Sequence, residues 1–197
     1  MSAVAGHAVV AIGCSWGGLD ALRQILAQLP ADLDAAVIVA QHRSPESHPT
    51  AFRDLLQAVT RLEVREAGDK DLIRAGMVYI AAPDYHLLVD SGEMSLSTDE
   101  PVLYARPSID VLFETAAESY RERCIGVVLT GANADGAHGL ARVLELGGTA
   151  IVQDPADALR DEMPVAALQA VPSARVATAA EIGPLLAELC GVAKVSP

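Results

Sequence analysis

Three side chains of complementary chemistry follow predicted strands of this 197-residue chain. Ser15 comes after the first apolar run, His42 after the second, and Asp135 after the run that ends at Thr130. The carboxyl ends of parallel strands meet at one edge of a sheet, where ligands bind in such folds. We therefore expect a hydroxyl, an imidazole and a carboxylate to share this edge, and together they are the parts of a Ser-His-Asp triad.

This combination suits nucleophilic attack on a carbonyl carbon. A serine hydroxyl is a weak nucleophile at neutral pH, so a neutral imidazole, here that of His42, must accept its proton during the attack. The carboxylate of Asp135 would fix the tautomer of that imidazole and stabilise the imidazolium that forms. Glycines around Ser15 allow a tight turn from strand to helix, and the backbone N–H of Trp16 at the helix start could bind a developing oxyanion.

Each of these residues also has an ordinary structural interpretation. Ser15 alone could cap a helix, His42 could be a loop histidine, and Asp135 could be a turn residue or the N-cap of the next helix. The motif Gly-x-Ser-x-Gly is weak evidence in a chain with 15 glycines. The joint placement of three reactive side chains at three strand ends favours the triad.

The first glycine-rich turn has a competing interpretation as a phosphate cradle. Gly13, Gly17 and Gly18 could hold a pyrophosphate at the start of a helix, as in dinucleotide-binding folds. The spacing differs from GxGxxG, however, and Gln41 and His42 occupy the end of the second strand, where a ribose-binding acidic residue would stand. The sequence therefore favours hydrolysis over nucleotide binding.

Other residues near predicted strand ends extend the candidate site. Arg43 and Arg106 are candidate cations for orienting a substrate, and Trp16, the lone tryptophan, could form a wall of the cleft. The five histidines include no HxxxH or HxH pair, so we predict no metal ion. The three cysteines include no CxxC pair, and they predict neither a disulfide framework nor a zinc site; they are Cys14, Cys124 and Cys190.

Composition and charge exclude several classes of protein. Asp and Glu number 26 against 14 Lys and Arg, and the net charge of −12 argues against non-specific binding to nucleic acid or anionic lipid. Hydrophobic residues make up 51% and aromatic residues only 4%, which suits a buried parallel sheet covered by Ala-rich helices. The sequence has no apolar stretch long enough to span a membrane and no basic signal-peptide region, so we expect a cytoplasmic protein without membrane insertion.

Strand and helix patterns alternate along the chain, which predicts an α/β fold in one domain, residues 1–197. Runs rich in Val, Ile and Ala predict parallel strands covered on both faces. We expect a doubly wound, mostly parallel sheet with helices on both faces and a small antiparallel hairpin turned by Ser91-Gly92. The predicted strands cover residues 8–13, 36–40, 62–66, 77–82, 86–90, 93–97, 125–130 and 150–153, and the predicted helices cover residues 17–29, 49–59, 107–118, 137–146 and 179–190.

Longer stretches around these residues resemble the catalytic domain of the chemotaxis protein-glutamate methylesterases. The similarity extends over nearly the whole chain and rests on the stretches VVAIGCSWGGLDAL, IVAQHRSPE, GMVYIAAPDYHLLVD, RPSIDVLFETAA, GVVLTGANADGAHGL and TAIVQDPADALRDEMPVAAL. The resemblance implies hydrolysis of glutamate γ-methyl esters on the cytoplasmic helices of chemoreceptors, with release of methanol. It also implies deamidation of certain receptor glutamines, and a doubly wound sheet with an added hairpin.

The resemblance implies a role for each candidate residue. The family's nucleophile falls on Ser15, its general base on His42 and its aspartate on Asp135. The backbone N–H groups of Trp16 and Ala132 would form the oxyanion hole, although the family usually has a small residue, often threonine, at the first position and methionine at the second. These two departures affect the shape of the pocket and hence the choice of substrate.

Classical members of this family carry an N-terminal receiver domain that covers the active site until it is phosphorylated. Ser15 lies too close to the start of this sequence for such a domain, so we expect a stand-alone domain that is open or regulated by a separate protein. The expected partner is the methylated cytoplasmic domain of a chemoreceptor, and no cofactor is expected. Two alternatives remain: a carboxylesterase acting on another protein or on a small-molecule ester, and a non-catalytic docking module.

Overall fold

A computed structural model of the chain describes residues 8–44, 46, 50–90 and 92–191. Its strands follow the apolar runs of the sequence. In chain order they are β1 (Ala8–Cys14), β2 (Ala35–Gln41), β3 (Glu63–Glu66), β4 (Met77–Ile80), β5 (His86–Asp90), β6 (Glu93–Ser97), β7 (Cys124–Val128), β8 (Thr149–Gln153) and β9 (Arg175–Ala177). Seven of them form one sheet in the order β3-β4-β2-β1-β7-β8-β9, and every neighbouring pair is parallel.

Helices cover both faces of this sheet. They are α1 (Gly18–Leu26), α2 (Ala51–Gln57), α3 (Ile109–Tyr120), α4 (Ala137–Glu145), α5 (Glu162–Ala170) and α6 (Ala179–Cys190). The apolar residues of α1, α2 and α6 form one core with one face of the sheet, and those of α3, α4 and α5 form a second core with the other face. The doubly wound α/β fold expected from the sequence is therefore confirmed.

Burial on both faces explains the composition of the central strands. All seven residues of β2 are buried. In β1 the side chains of Val9 and Ala11 belong to the core under α3 and α4, whereas those of Val10 and Ile12 belong to the core under α1 and α6. A strand whose alternate side chains all enter a core needs apolar residues at successive positions, as the sequence has.

The antiparallel hairpin expected from the sequence is formed by β5 and β6. Leu87, Val89 and Met94 join the core that contains α3. The backbone N–H of Val89 also donates to Oγ1 of Thr115, at 3.1 Å, so the hairpin is fixed to that helix. Of the predicted turn residues, Ser91 lies outside the described residues.

The structure corrects the predicted helix boundaries. Pro107 is not the first helical residue, because α3 begins at Ile109 with Ser108 as its N-cap, whose Oγ accepts the N–H of Val111. The helix predicted over residues 49–59 is confined to Ala51–Gln57 among the described residues, and residue 49 lies outside them. The helix predicted from residue 17 to 29 ends at Leu26.

The sequence patterns missed α5 and β9. Pro164 makes the sequence of α5 look unlike a helix, because proline disfavours helix interiors. In the structure it lies in the first turn, where a residue has no intrahelical partner for its N–H. The strand β9 has three residues, two of them exposed, and it closes the sheet beside β8. No helix in the described parts of the chain is long and apolar enough to cross a membrane.

Candidate active site

The register between β1 and β2 places Ser15 beside His42. Cys14 and Gln41 are partners at the ends of these two parallel strands, and each candidate residue comes directly after one of them. Adjacent strands lie about 4.8 Å apart, so the two backbones leave the sheet as neighbours. β1 has β2 on one side and β7 on the other, which is the point where the chain reverses its direction across the sheet and where α/β folds bind ligands.

The turn that presents Ser15 is tied to the end of β7. The backbone N–H of Ser15 donates to the carbonyl of Thr130 at 3.0 Å, and the N–H of Gly18 donates back to the carbonyl of Ser15 at 2.9 Å. Gly17 has a φ of 83°, in the left-handed region that glycine adopts most easily. A side chain at Gly18 would overlap Gln41, so this glycine serves the close packing of α1 on the strand ends.

Gln41 joins the backbones of both candidate residues. Its Nε2 donates to the carbonyl oxygen of Ser15 at 2.8 Å and to that of His42 at 3.0 Å. Its Oε1 accepts the thiol of Cys14 at 3.0 Å, and burial raises the pKa of that thiol well above its usual range. Gln41 is itself buried and lines the cavity that contains Ser15, so one amide side chain fixes the ends of two strands at the site.

The structure brings His42 and Asp135 into direct contact. Nε2 of His42 lies 2.7 Å from Oδ2 of Asp135. An ionised carboxylate only accepts hydrogen bonds, so Nε2 carries the proton and Nδ1 is left with its lone pair. Among the described residues, no hydrogen bond joins the hydroxyl of Ser15 to this imidazole.

Three further donors surround the carboxylate of Asp135 at the start of α3. Its Oδ1 accepts the hydroxyl of Ser108 at 2.9 Å and the backbone N–H of Asp110 at 3.0 Å, while its Oδ2 accepts the backbone N–H of Ile109 at 2.8 Å. The positive end of the helix dipole also favours an anion at this position. Asp135 therefore binds the preceding helix, and Gly136, not Asp135, is the N-cap of α4.

The environment of Asp135 favours its ionised form. Burial alone would raise the pKa of this fully buried carboxyl group. The hydrogen bonds from His42 and from the amides of Ile109 and Asp110, together with attraction to His42, outweigh that effect and hold the pKa below its usual value. The group beside Nε2 of His42 is thus a carboxylate at neutral pH.

The two predicted oxyanion donors lie on loops beside this pair. The carbonyl of Trp16 accepts the hydroxyl of Thr130 at 2.9 Å, while the indole is 68% exposed. Ala132 is exposed on the loop between β7 and Asp135. In the described parts of the chain the backbone N–H groups of Trp16 and Ala132 have no acceptor, so both are available to a ligand.

The guanidinium groups of the two predicted substrate-binding arginines are bonded within the protein. Arg43 donates to the carbonyl of Ala81 at 2.9 Å and lies 4.8 Å from the ring centre of Phe52, and its buried Nε has no acceptor among the described residues. Arg106 forms two hydrogen bonds with Oδ1 of Asp84, at 3.0 and 2.6 Å. Both arginines hold loops together at the rim of the site.

Two cavities lie beside the candidate residues. The first, of about 500 Å³, is lined by His42 and Asn133 and by the turn that carries Leu103 and Tyr104. The second, of about 390 Å³, contains Ser15 and the side chain of Phe52. Arg43 lines both, so the cavities meet at the side chain that follows His42. Within the described residues, no cluster of three or more His, Cys, Asp or Glu side chains could hold a metal ion, and His48 lies outside them.

Sequence reasoning missed three residues that position this site, namely Gln41, Ser108 and Asp110. Gln41 gave a signal, because a glutamine that ends an otherwise apolar buried strand needs buried partners. Ser108 and Asp110 gave none, because their contact with Asp135 joins residues that lie 25 to 27 positions apart in the sequence.

Comparison with known proteins identifies the family. A family profile described as CheB methylesterase matches residues 10–186. The chain belongs to the CheB methylesterase family. The crystal structure of the Thermotoga maritima CheB methylesterase catalytic domain superposes with a TM-score of 0.89 at 32% identity, covering 93% of this chain and 99% of that one. The prediction of an enzyme of the methylesterase family is therefore confirmed.

Named relatives of the CheB methylesterase family differ in length. A putative protein-glutamate methylesterase/protein-glutamine glutaminase of Leptospira interrogans is 44% identical over 165 residues, which are 83% of this chain and 85% of that relative. A protein-glutamate methylesterase/protein-glutamine glutaminase of Symbiobacterium thermophilum is 42% identical over 157 residues, which are 79% of this chain but 43% of that relative. The chain thus spans less than half of the second protein.

Proposed function

We propose that this protein hydrolyses glutamate γ-methyl esters on the cytoplasmic domain of a methylated chemoreceptor and releases methanol. The observation that carries the proposal is the hydrogen bond between His42 and Asp135 next to the strand end that presents Ser15, in a chain of the CheB methylesterase family. The names of its relatives support protein-glutamate methyl esters as the substrate.

The first half of the reaction forms an acyl-enzyme. Oγ of Ser15 attacks the ester carbonyl carbon while Nδ1 of His42 accepts the hydroxyl proton. His42 uses Nε2 for Asp135, so Nδ1 is the ring nitrogen that remains for this transfer. The imidazolium then donates the proton to the departing methoxide, and methanol leaves as the serine ester forms. The carboxylate of Asp135 stabilises the imidazolium while it exists.

The second half of the reaction regenerates the enzyme. A water molecule takes the place of methanol and His42 accepts its proton as the oxygen attacks the acyl carbon. Collapse of the second tetrahedral intermediate returns the proton to Oγ of Ser15 and releases the glutamate side chain as a carboxylic acid, which loses its remaining proton to solvent at neutral pH. A glutamine side chain in the same position would release ammonia in place of methanol, in agreement with the glutaminase named in the relatives.

The backbone N–H groups of Trp16 and Ala132 are the proposed donors to the oxyanion. Their lack of an acceptor among the described residues supports this role. Because the donors belong to the backbone, they tolerate the large side chain of Trp16 and the small one of Ala132. Loss of one such donor lowers kcat by about 10²–10³-fold in other enzymes.

Methanol release from a methylated chemoreceptor fragment tests the proposal. We expect release by the wild-type protein and a loss of at least about 10³-fold in kcat for Ser15→Ala, since the nucleophile is gone. Ser95→Ala, which removes a serine hydroxyl from the hairpin strand β6, is the matched control and should retain wild-type activity. Activity of folded Ser15→Ala within tenfold of the wild type would refute the assignment of the nucleophile.

A further inference from the structure

A tight turn with bulky residues stands at the rim of the cavity that contains His42. Val102 and Ala105 exchange backbone hydrogen bonds of 3.1 and 2.8 Å, and Leu103 and Tyr104 form the tip between them. The tip residues have φ values of 48° and 63°, in the left-handed region. Asn and Gly are the residues that favour this kind of turn, and bulky side chains disfavour it.

Burial of these two side chains within the fold does little to offset the unfavourable backbone conformation. Leu103 is 51% exposed and Tyr104 is fully exposed. Both line the first cavity together with His42. Unfavourable backbone conformations persist mainly where they serve a function. An exposed leucine and tyrosine on such a turn, next to the proposed general base, therefore suggest contact with a ligand.

The turn is braced by a side chain that also lines the cavity. Arg106, the residue after Ala105, donates to the carbonyl oxygens of Thr98 and Asp99, at 2.9 and 3.0 Å, as well as to Asp84. One guanidinium group thus connects the turn to two other segments of chain. The tip is held in place before a substrate arrives, which reduces the entropy lost on binding.

The charged groups of this cavity are already bonded within the protein. Nε2 of His42 bonds to Asp135, Arg43 donates to the carbonyl of Ala81, and Asp84 bonds to Arg106. The chain as a whole carries a net charge of −12. Arg43 also lies 3.7 Å from a carboxylate oxygen of Glu66. The described residues of the lining therefore offer an acidic substrate no accessible cation without an acidic partner, whereas Leu103 and Tyr104 offer it exposed apolar surface.

We infer that Leu103 and Tyr104 determine specificity by binding the protein part of the substrate through apolar contact. They take no part in the chemical steps. The inference rests on the proposed function: the occupant is the segment of the methylated chemoreceptor that flanks the ester-bearing glutamate. Its apolar side chains pack on the Leu103-Tyr104 tip while the ester enters the cavity beside His42. Apolar contact, and not ion pairing, supplies the affinity.

The double variant Leu103→Asn with Tyr104→Gly tests this inference. Asn-Gly suits the backbone of the tip, so the variant keeps the turn and removes only the apolar side chains. Binding of a methylated chemoreceptor fragment is measured by titration in the Ser15→Ala background, where the ester is not turned over. We expect Kd to rise by about tenfold, as for loss of a central apolar anchor. Leu144→Ser, which removes an exposed leucine at the end of α4, is the matched control and should leave Kd unchanged.

Two further measurements separate docking from other effects. Hydrolysis of the receptor ester should fall about tenfold more than hydrolysis of p-nitrophenyl acetate, which has no protein part to dock. For the protein with Leu103 and Tyr104 in place, the Kd for the receptor fragment should vary by less than about twofold between 50 and 500 mM salt, because screening weakens ion pairs and not apolar contacts. An unchanged Kd in the double variant, equal losses on both esters, or a strong weakening by salt would each overturn the inference.

The failure of the proposed function would give a different result. Wild-type protein that binds the receptor fragment through the tip and releases no methanol would refute the esterase assignment and leave the docking inference in place. Methanol release by the wild type, together with a Kd that is the same with and without the Leu103 and Tyr104 side chains, would support the esterase assignment and overturn the docking inference.

Discussion

The carboxylate of Asp135 binds the start of α3, which contains Asp110, and the carboxylate of Asp110 binds the start of α4, which follows Asp135. The backbone N–H of Asp110, in the first turn of α3, donates to Oδ1 of Asp135 at 3.0 Å. Oδ1 of Asp110 in turn accepts the N–H groups of Gly136 and Gly139 at the start of α4, at 2.9 and 2.7 Å. This reciprocal capping joins the two helices and fixes the loop that holds Asp135 against His42.

The two carboxylates respond to this arrangement in opposite ways. The pKa of Asp135 is lowered, as described above. The pKa of Asp110 is raised, chiefly by burial and further by the negative charge of Asp135, although the amides of Gly139 and Gly136 oppose the shift. The negative charge of Asp135 therefore stabilises the folded state. The negative charge of Asp110 destabilises it, and the hydrogen bonds that this carboxylate accepts oppose that effect.

The isosteric variants Asp135→Asn and Asp110→Asn should differ in both stability and activity. An asparagine at 135 places an amide NH₂ among groups that donate hydrogen bonds to the carboxylate of Asp135. Because one donor is then left without an acceptor, we expect the free energy of unfolding to fall by about 1–3 kcal/mol. If the amide faces His42, it reverses the tautomer, so kcat should fall by as much as about 10⁴-fold. An asparagine at 110 keeps an oxygen for both glycine amides and loses a buried charge, so stability should hold or rise.

Chemical denaturation at pH 7 and methanol release measure these effects. Equal losses of stability in both variants would contradict the assignment of Asp135 as the favourable charge. An Asp135→Asn variant with wild-type kcat would show that the imidazole needs no carboxylate.

The pH dependence of stability provides a separate prediction. Because the pKa of Asp135 is lower in the folded state, its contribution is present above its unfolded pKa of about 4 and is lost as pH falls through the folded value. The raised pKa of Asp110 has the opposite sign, so its cost to folding disappears as pH falls through that raised value.

Urea unfolding of the wild type and both variants between pH 3 and 7 checks these signs. The stability advantage of the wild type over Asp135→Asn should shrink with falling pH. Any advantage of Asp110→Asn over the wild type should also shrink as the wild-type carboxyl group becomes protonated. An advantage of either kind that grows toward low pH would contradict the corresponding shift.

Gln41 should act as a positioning residue for catalysis. Gln41→Glu replaces the amide that donates to the carbonyl oxygens of Ser15 and His42 with a group that repels them when ionised. We expect kcat on the receptor ester to fall by about 10–100-fold with little change in KM, because small displacements of reacting groups have effects of this size. Gln57→Glu is the matched control, since Gln57 also bonds to backbone groups, those of Thr60, Leu62 and Val64, away from the site.

Steady-state kinetics of the two glutamine variants distinguish positioning from a general loss of stability. A similar loss of kcat in both would indicate that Gln41 acts only on the fold. A rise in KM without a change in kcat would place Gln41 in substrate binding instead.

The sequence was sufficient to predict the central strands of the sheet because they are buried on both faces, whereas the short, largely exposed edge strand β9 was missed. Continuous runs such as Ala35–Gln41 indicate parallel strands directly, and the side chains that follow them then meet at one edge. The placement of Ser15, His42 and Asp135 near one another therefore needed only local patterns and one rule of topology.

The rest of the site depends on contacts that local patterns do not reveal. The sequence pattern at Arg106 does not show that its guanidinium would bind Asp84 and two carbonyl groups, because those partners are assembled by folding. The same holds for Ser108, whose hydroxyl reaches Asp135 across the gap between two helices. Helix α5 was missed for a local reason, since Pro164 obscures its start.

Close packing of α3 on α4 should be necessary for activity as well as for stability. A Cβ at Gly139 would lie 2.7 Å from Cβ of Phe113 and 2.9 Å from the carbonyl oxygen of Asp110. We expect Gly139→Ala to lower the free energy of unfolding by up to about 2 kcal/mol, because overpacking costs about 1–3 kcal/mol and the gain in helix propensity returns about 1 kcal/mol. Displacement of Asp110 should also shift Asp135 and lower kcat.

Gly183→Ala is the matched control for this variant. A Cβ at Gly183 would lie 2.8 Å from Cβ of Gln28 and 2.9 Å from the carbonyl oxygen of Ile25, so the overpacking is similar but lies between α6 and the end of α1. Both variants should lose stability by similar amounts, while only Gly139→Ala should lose more than about tenfold in kcat on the receptor ester, since a displacement of about 1 Å can have such an effect. Equal values of kcat for the two folded variants would show that the reciprocal capping of Asp110 and Asp135 tolerates movement of the helices. The carboxylate of Asp135 would then keep its contact with His42 even when α4 is displaced.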